Sequence, residues 1–386
     1  MVHVSKRLQQ IPASGTIAIS NLVSEMKAHG VDIVSFSMGE PDFVTPENII
    51  GAAKKSLDEG FTHYTPSMGV PDLREAIANA VRKDNGINAS SYNVLVTPTK
   101  QAIFLTALAY LDPGDEVILP DPGWVSYEAD IKLCGAKPVY VPLFYDEDFI
   151  LSPERVEAAI TPKTRMIVLN TPANPTGCVL PEATIRAIAE IAEKHDLMVL
   201  ADEIYEKVIY SGRHFSIASI PGMMDRTITV SGLSKTYAMT GWRVGWAVSS
   251  VENIKSINKL QTHSISCCTS FAQMGAVEAL NGPTDSRDRM VAEFKKRRDL
   301  ALDLLAEVKG IECKKPEGAF YLFPKYDADI HSADLATKLL KEAHVAVTPG
   351  AAFGPHGEGF FRISYATSDD QIREGISRIK KFMQDL

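Results

Sequence analysis

Between residues 94 and 248 the sequence alternates short apolar runs with helical patterns, and this alternation constrains the fold more than any other feature. Runs at 94–97, 117–119, 139–141, 166–169 and 197–200 read as buried strands. Each is followed by a helix or by a loop and helix, with 102–111 and Glu182–Lys194 the clearest helices. Such alternation predicts an α/β unit layered on a mainly parallel sheet. Sheets of this kind bind ligands at the carboxyl ends of their strands.

Two further apolar runs, 227–230 and 244–248, enclose Ser231-Gly-Leu-Ser-Lys-Thr-Tyr-Ala-Met-Thr-Gly-Trp-Arg-Val-Gly245. A lysine held between two buried strands is costly if charged and unpaired. Desolvation lowers its pKa, which suits Lys235 to act as a nucleophile and Schiff-base former. Gly241 and Gly245 flank Arg243 and would let backbone or ligand approach closely. Arg243 with the Ser234 hydroxyl would hold the phosphate of a phosphorylated aldehyde.

Other candidates fall at the predicted strand ends. Thr99 and Lys100 open a helix after a strand, where backbone N–H groups favour a phosphate. Trp124 lies in Asp121-Pro-Gly-Trp-Val-Ser-Tyr127, Asn174 in Asn170-Thr-Pro-Ala-Asn-Pro-Thr-Gly177, and Asp202-Glu-Ile-Tyr205 follows another run. Taken singly, each also fits a turn, a cap or a core position. Gly39 could bring a bare N–H to a ligand or simply turn the chain. Tyr64, in the loop 63–69, reads equally well as a packed aromatic.

The chain of 386 residues is too long for one simple core and suggests two domains. A helix over Leu22 and Met26 ends at Gly30, a strand follows at 32–37, and Thr45-Pro46 opens the next helix with proline at its first position. After Asn281-Gly-Pro-Thr-Asp285 a long helix spans 291–305. Short strands at 319–323, 345–347 and 361–365 and a last amphipathic helix through Ile372, Ile376 and Ile379 complete the pattern. The last hundred residues and the first forty-five thus form a plausible second domain holding both termini.

Net charge is −8, which argues against a nucleic-acid binder. The basic run Lys295-Lys-Arg-Arg298 reads as a solvated helix face. Five cysteines without a Cys-x-x-Cys pair point to free thiols in a reducing cytoplasm. His63, His214 and His263 show no metal-ligand spacing, so no metal is expected. No apolar run approaches the ~20 residues of a membrane span, and no signal pattern opens the chain. Gly-x-Gly-x-x-Gly after a strand, a Walker loop and a Gly-x-Ser-x-Gly elbow are all absent.

As a set, the motifs resemble the class I pyridoxal-phosphate-dependent aminotransferases of the aspartate aminotransferase superfamily. They are Tyr64-x-x-x-x-Gly69-x-x-x-Leu73-Arg74, Asn174-Pro-Thr-Gly177, Asp202-x-x-Tyr205, Lys235 with Arg243, and Phe361-Arg-Ile-Ser-Tyr-Ala366. The resemblance runs from about Ile17 to the last helix. It implies the type I pyridoxal-phosphate-dependent transferase fold, with a large cofactor domain over 46–285 and a smaller α/β domain from 1–45 and 286–386. It also implies a homodimer with shared active sites.

By position, Lys235 resembles the lysine that links to pyridoxal phosphate. Asp202 would face the pyridine nitrogen, Tyr205 and Asn174 the ring hydroxyl, and Trp124 would stack on the ring. Thr99, Lys100, Ser234 and Arg243 would surround the phosphate, joined by Tyr64 of a neighbouring subunit. Arg362 would grip the α-carboxylate, helped by Gly39 and Asn174. Lys100 and Thr16 match positions that contact a second substrate carboxylate in the aspartate-using subgroup. Pro98, Gly123 and Gly232 depart from residues common in the family.

The implied activity is transfer of an amino group between an L-amino acid, aspartate favoured, and a 2-oxo acid such as 2-oxoglutarate, by ping-pong chemistry. Aromatic amino-acid transfer and carbon–sulfur β-lysis are the alternatives. A transcription regulator on the same scaffold would need a DNA-binding extension, for which the pattern, beginning near residue 17, leaves no room.

Overall fold

A computed structural model describes residues 4–11 and 15–386; of the side chains of 15–18 and 20 nothing is said. The predicted alternation forms one seven-stranded sheet. With β1 at Val34–Ser35, its strands are β2 (Val94–Val96), β3 (Glu116–Asp121), β4 (Lys137–Pro142), β5 (Thr164–Asn170), β6 (Met198–Asp202), β7 (Thr227–Gly232) and β8 (Gly245–Val248). Their order across the sheet is β2-β8-β7-β6-β5-β3-β4. From β7 to β4 all pairs are parallel, while β8 runs antiparallel to both β2 and β7. Every residue of β2, β7 and β8 is buried. Helices cover both faces, which is why these strands read as continuous apolar runs rather than alternating ones. Thr99–Tyr110, Val125–Leu133 and Val251–Thr262 pack on one face, and Pro153–Ala158 and Glu182–Lys194 on the other.

Both chain ends share a second core, in which Val23, Val34 and Phe36 pack with Phe294, Leu335, Val345, Ile363 and Ile376. Short strands thread it: β9 (Ile311–Glu312), β10 (Tyr321–Leu322), β11 (Lys325–Tyr326), β12 (Val345–Ala346), β13 (Thr348–Pro349) and β14 (Phe361–Ser364). They pair as β1-β12, β10-β14-β13 and β11-β9. The same core takes in Ile204, Tyr205 and Val208 from the segment after β6. One strand end of the large sheet is therefore buried against residues from both termini. The helix Gly15–Ala28 and the left-handed Gly30 agree with the sequence reading.

Two expectations are corrected. Pro46 caps the helix Glu47–Asp58 from outside rather than opening it, and the Thr45 hydroxyl is drawn off to the Ala238 carbonyl at 2.7 Å. The basic run is only half solvated. In the helix Asp285–Leu305, Arg297 is buried against Asp42 at 2.8 Å, and Arg298 donates to the Pro316 carbonyl at 2.9 Å beneath the Tyr210 ring. Four consecutive helical residues span more than one turn of 3.6, so they point all round, and a helix packed on one side must bury some of them.

Candidate active site

The carboxyl ends of β3, β5, β6 and β7 open into a cavity of about 450 Å³ lined by residues from both cores. Asp202 is the last residue of β6, and Tyr205 sits in the turn that follows. Lys235 lies in the turn after β7, closed by Tyr237 N–H on the Leu233 carbonyl at 3.0 Å. Arg243, just before β8, holds a left-handed φ of 57°.

Asp202 is buried. Its Oδ2 accepts from the Tyr127 hydroxyl at 2.7 Å and its Oδ1 from the Ile204 N–H at 3.1 Å. Burial pushes its carboxyl up to about 6, against the pull of those two donors. Tyr127 meets Trp124 edge to face, with centroids 5.2 Å apart. Lys235 donates from Nζ to the Gly39 carbonyl. Burial pulls its amine down to about 8; Glu40 opposes this, and the nearby charges of Arg362 and Arg243 add to it. At that value a large share of the amine is neutral near pH 8, as nucleophilic and proton-transfer chemistry requires.

Thr99, Lys100, Ser234 and Arg243 gather at one end of the cavity. The Thr99 hydroxyl donates its only proton to the Ser231 carbonyl at 2.9 Å, so Thr99 can offer an anion only its backbone N–H. No side chain caps the helix Thr99–Tyr110, whose positive end lies here. Arg243 gives one hydrogen bond to the Thr240 carbonyl at 2.9 Å and, among the described residues, has no carboxylate within ion-pair distance. Gly232 and Gly245 make room for Thr99: a Cβ on either would stand 2.7 or 2.4 Å from its Oγ1. That accounts for glycine at 232, and at Gly245 it bears out the close approach of backbone, since the Ser231 carbonyl and the Thr99 N–H would also lie 2.7 and 3.0 Å from a Cβ. Gly241 meets nothing within 4 Å.

At the other end Arg362 is buried between the rings of Tyr321 and Phe353, 4.4 and 5.1 Å away. Its Nη1 donates to Asn174 Oδ1 at 3.0 Å and its Nη2 to the Ser37 carbonyl at 2.9 Å. Nε is buried with no hydrogen-bond partner. A Cβ on Gly39 would come within 3.0 Å of the Tyr321 hydroxyl, so glycine there keeps the arginine's surroundings open. The Tyr205 hydroxyl lies 2.8 Å from that of Tyr321. Lys100 Nζ stands 5.0 Å over the Trp124 ring.

Gly39, Thr99, Lys100, Trp124, Asn174, Asp202, Tyr205, Ser234, Lys235, Arg243 and Arg362 therefore line one cavity. Tyr64 does not line it and is 92% exposed. Thr16 falls in the helix Gly15–Ala28, but its side chain lies outside the described residues. Sequence reasoning gave no role to Tyr127, Tyr321, Phe353 or Glu40. Tyr127 carried a signal, being three residues after Trp124 on a helix; Tyr321 and Phe353 look like core residues in sequence.

His214, which shows no ligand spacing in sequence, is buried 2.9 Å from Glu203, with Glu206 close by. Ser216, Asn85 and Ser231 already engage those carboxylates at 2.6, 3.0 and 3.2 Å, so the group reads as an ion-pair network.

Comparison with known proteins agrees with this geometry. The family described as "Aminotransferase class I and II" matches residues 31–379. An aspartate aminotransferase from Bacillus subtilis is 42% identical over 99% of both chains. Aromatic-amino-acid aminotransferase 2 of Thermococcus litoralis is 40% identical over 99% of this chain and 98% of its own. Aspartate aminotransferase from Thermus thermophilus, solved with maleate, superimposes with a TM-score of 0.94 at 39% identity, covering 99% of this chain and all of the other.

Proposed function

The chain belongs to the class I and II aminotransferase family, and on that premise we propose that it transfers an amino group between aspartate and 2-oxoglutarate with pyridoxal phosphate as cofactor. The observation that carries this reading is the convergence of a half-buried low-pKa lysine, a buried carboxylate and a buried arginine in one cavity.

The residues fit the cofactor. Among the described residues Asp202 has no cation within ion-pair distance, and a pyridinium nitrogen supplies one. Arg243, Ser234 and the N-terminus of the helix Thr99–Tyr110 suit a phosphate. When bound, pyridoxal phosphate supplies an electron sink for the carbanion at the substrate Cα. Asp202, its carboxylate held in place by Tyr127 and Ile204, would keep the ring nitrogen protonated. Trp124 would cover a ring face, and Tyr205 and Asn174 would meet the ring hydroxyl. Arg362 orients the substrate by its α-carboxylate, for which the guanidinium fork is the matching shape. Lys235 Nζ, lodged among these groups, takes the proton from Cα as general base.

The same reading divides the chain into 46–285 and 1–45 with 286–386. It makes the active form a homodimer in which exposed Tyr64 completes the neighbouring site. A reducing, cytoplasmic setting is supported by five free thiols. Among the described residues no helix is long and apolar enough to cross a membrane.

Aspartate is favoured because a Thermus relative was solved with maleate, a dicarboxylate, and because Lys100 offers a second cation in the same cavity. Aromatic donors are the second reading, supported by the Thermococcus relative and by the mobile stem of Lys100, which can swing aside. Incubation with single amino donors and 2-oxoglutarate should give glutamate, fastest with aspartate. Pyruvate with ammonia would instead mean β-lysis. Lys100→Ala should raise the KM for aspartate by about 1.5–3 kcal/mol in binding terms and spare an aromatic donor. An equal loss for both donors would remove the case for aspartate.

A further inference from the structure

Asp121 ends β3 with its side chain 1% exposed. Its Oδ2 receives two bonds from one residue, the backbone N–H of His356 at 3.1 Å and the ring Nδ1 at 2.5 Å. Gly354 packs against the same carboxylate so closely that a Cβ there would stand 2.0 Å from Oδ1. Two residues beyond Asp121, the Gly123 N–H donates to the Phe353 carbonyl at 2.8 Å. The end of β3, which leads into Trp124, is thus fastened to the loop 350–357 by three hydrogen bonds. That loop carries Phe353, whose ring lies 5.1 Å from the Arg362 guanidinium.

A buried carboxylate is costly unless it is paired and hydrogen-bonded. Here Oδ2 takes both its bonds from His356 while Oδ1 is buried without a partner among the described residues, so the loop is held where it pairs the one satisfied oxygen, and a displaced loop would strand the whole carboxylate. We propose that Asp121 and His356 are positioning residues that set the spacing between Trp124 and Arg362, and so control the binding of amino and oxo acids rather than the chemical step. This rests on the proposed aminotransferase reading.

The test uses the holoenzyme with His356→Ala and His356→Asn, read by steady-state kinetics for both substrates and by cofactor absorbance. The ring is 44% exposed on its side chain, so its removal opens no buried cavity, and the backbone N–H of residue 356 still donates to Asp121. His356→Ala should raise both KM values about fivefold or more while kcat and cofactor affinity change less than about twofold. An asparagine amide can take the place of Nδ1, so His356→Asn should restore KM to within about twofold of wild type. Wild-type KM values in His356→Ala would overturn the proposal. So would a loss confined to kcat, or an asparagine variant as impaired as the alanine one. A wild type without transaminase activity would sink the underlying reading and this one with it; an active wild type with an unaffected His356→Ala variant sinks only the positioning role.

Discussion

Asp202 stands where stability and chemistry conflict. Burial raises its pKa from the ordinary 3.8 to about 6, so the folded chain holds this proton more tightly than the unfolded chain does. Its contribution to stability is therefore most favourable at low pH and is lost as pH climbs from about 4 to about 6. Above that range the ionised side chain costs the cofactor-free protein about 2–3 kcal/mol. Asp202→Asn should make cofactor-free protein more stable by about that amount at pH 8 in a urea titration, with roughly half the gain left at pH 5. The same variant should lose transamination by several orders of magnitude, since the ring nitrogen loses its partner. A variant that is less stable at pH 8, or one that turns over normally, would contradict the account.

At the scale of elements, the cofactor end depends on how closely β8 approaches the helix Thr99–Tyr110. Gly245 allows that approach: an added Cβ would stand 2.4 Å from Thr99 Oγ1 and 2.7 Å from the Ser231 carbonyl. Part of that obstacle is backbone, so it cannot rotate away. Gly245→Ala should cost about 1–3 kcal/mol of stability and weaken cofactor affinity at least tenfold, because the helix N-terminus must shift. Gly241→Ala, with nothing within 4 Å, should stay within about 0.5 kcal/mol of wild type. Equilibrium dialysis with pyridoxal phosphate and thermal denaturation of both variants decide the matter; equal behaviour would mean that the close approach is unimportant.

For the whole molecule, Tyr64 is an aromatic at 92% exposure in a loop between two helices. In the homodimer proposed above it would complete the neighbouring site. Mixing inactive Lys235→Ala subunits with weakened Tyr64→Phe subunits should generate hybrid dimers with one site intact in both respects, and activity should rise above that of either parent. Sedimentation of the active species as a monomer would end that reading.

The sequence by itself determined the sheet and most of the site. Buried parallel strands must be nearly all apolar and must be separated by helices, so the runs from Val94 to Val248 declared themselves. Lys235 and Arg243 were legible from their glycine-flanked frame between two apolar runs, because a lysine there is costly without a purpose, whereas Asp202, which singly fits a turn or a cap, was picked out by the resemblance of the whole motif set. What the sequence did not disclose depends on distant segments meeting. Arg297 and Arg298 look solvated until Asp42 and Pro316 arrive beside them. Tyr321 and Phe353 look like core residues until they enclose Arg362. Asp121 looks like a turn residue until His356, far along the chain, donates to it twice. Periodicity reports which face of an element is buried; only the tertiary structure decides against what, because that depends on contacts between separate elements, which can lie as far apart in sequence as Asp42 and Arg297, 255 positions.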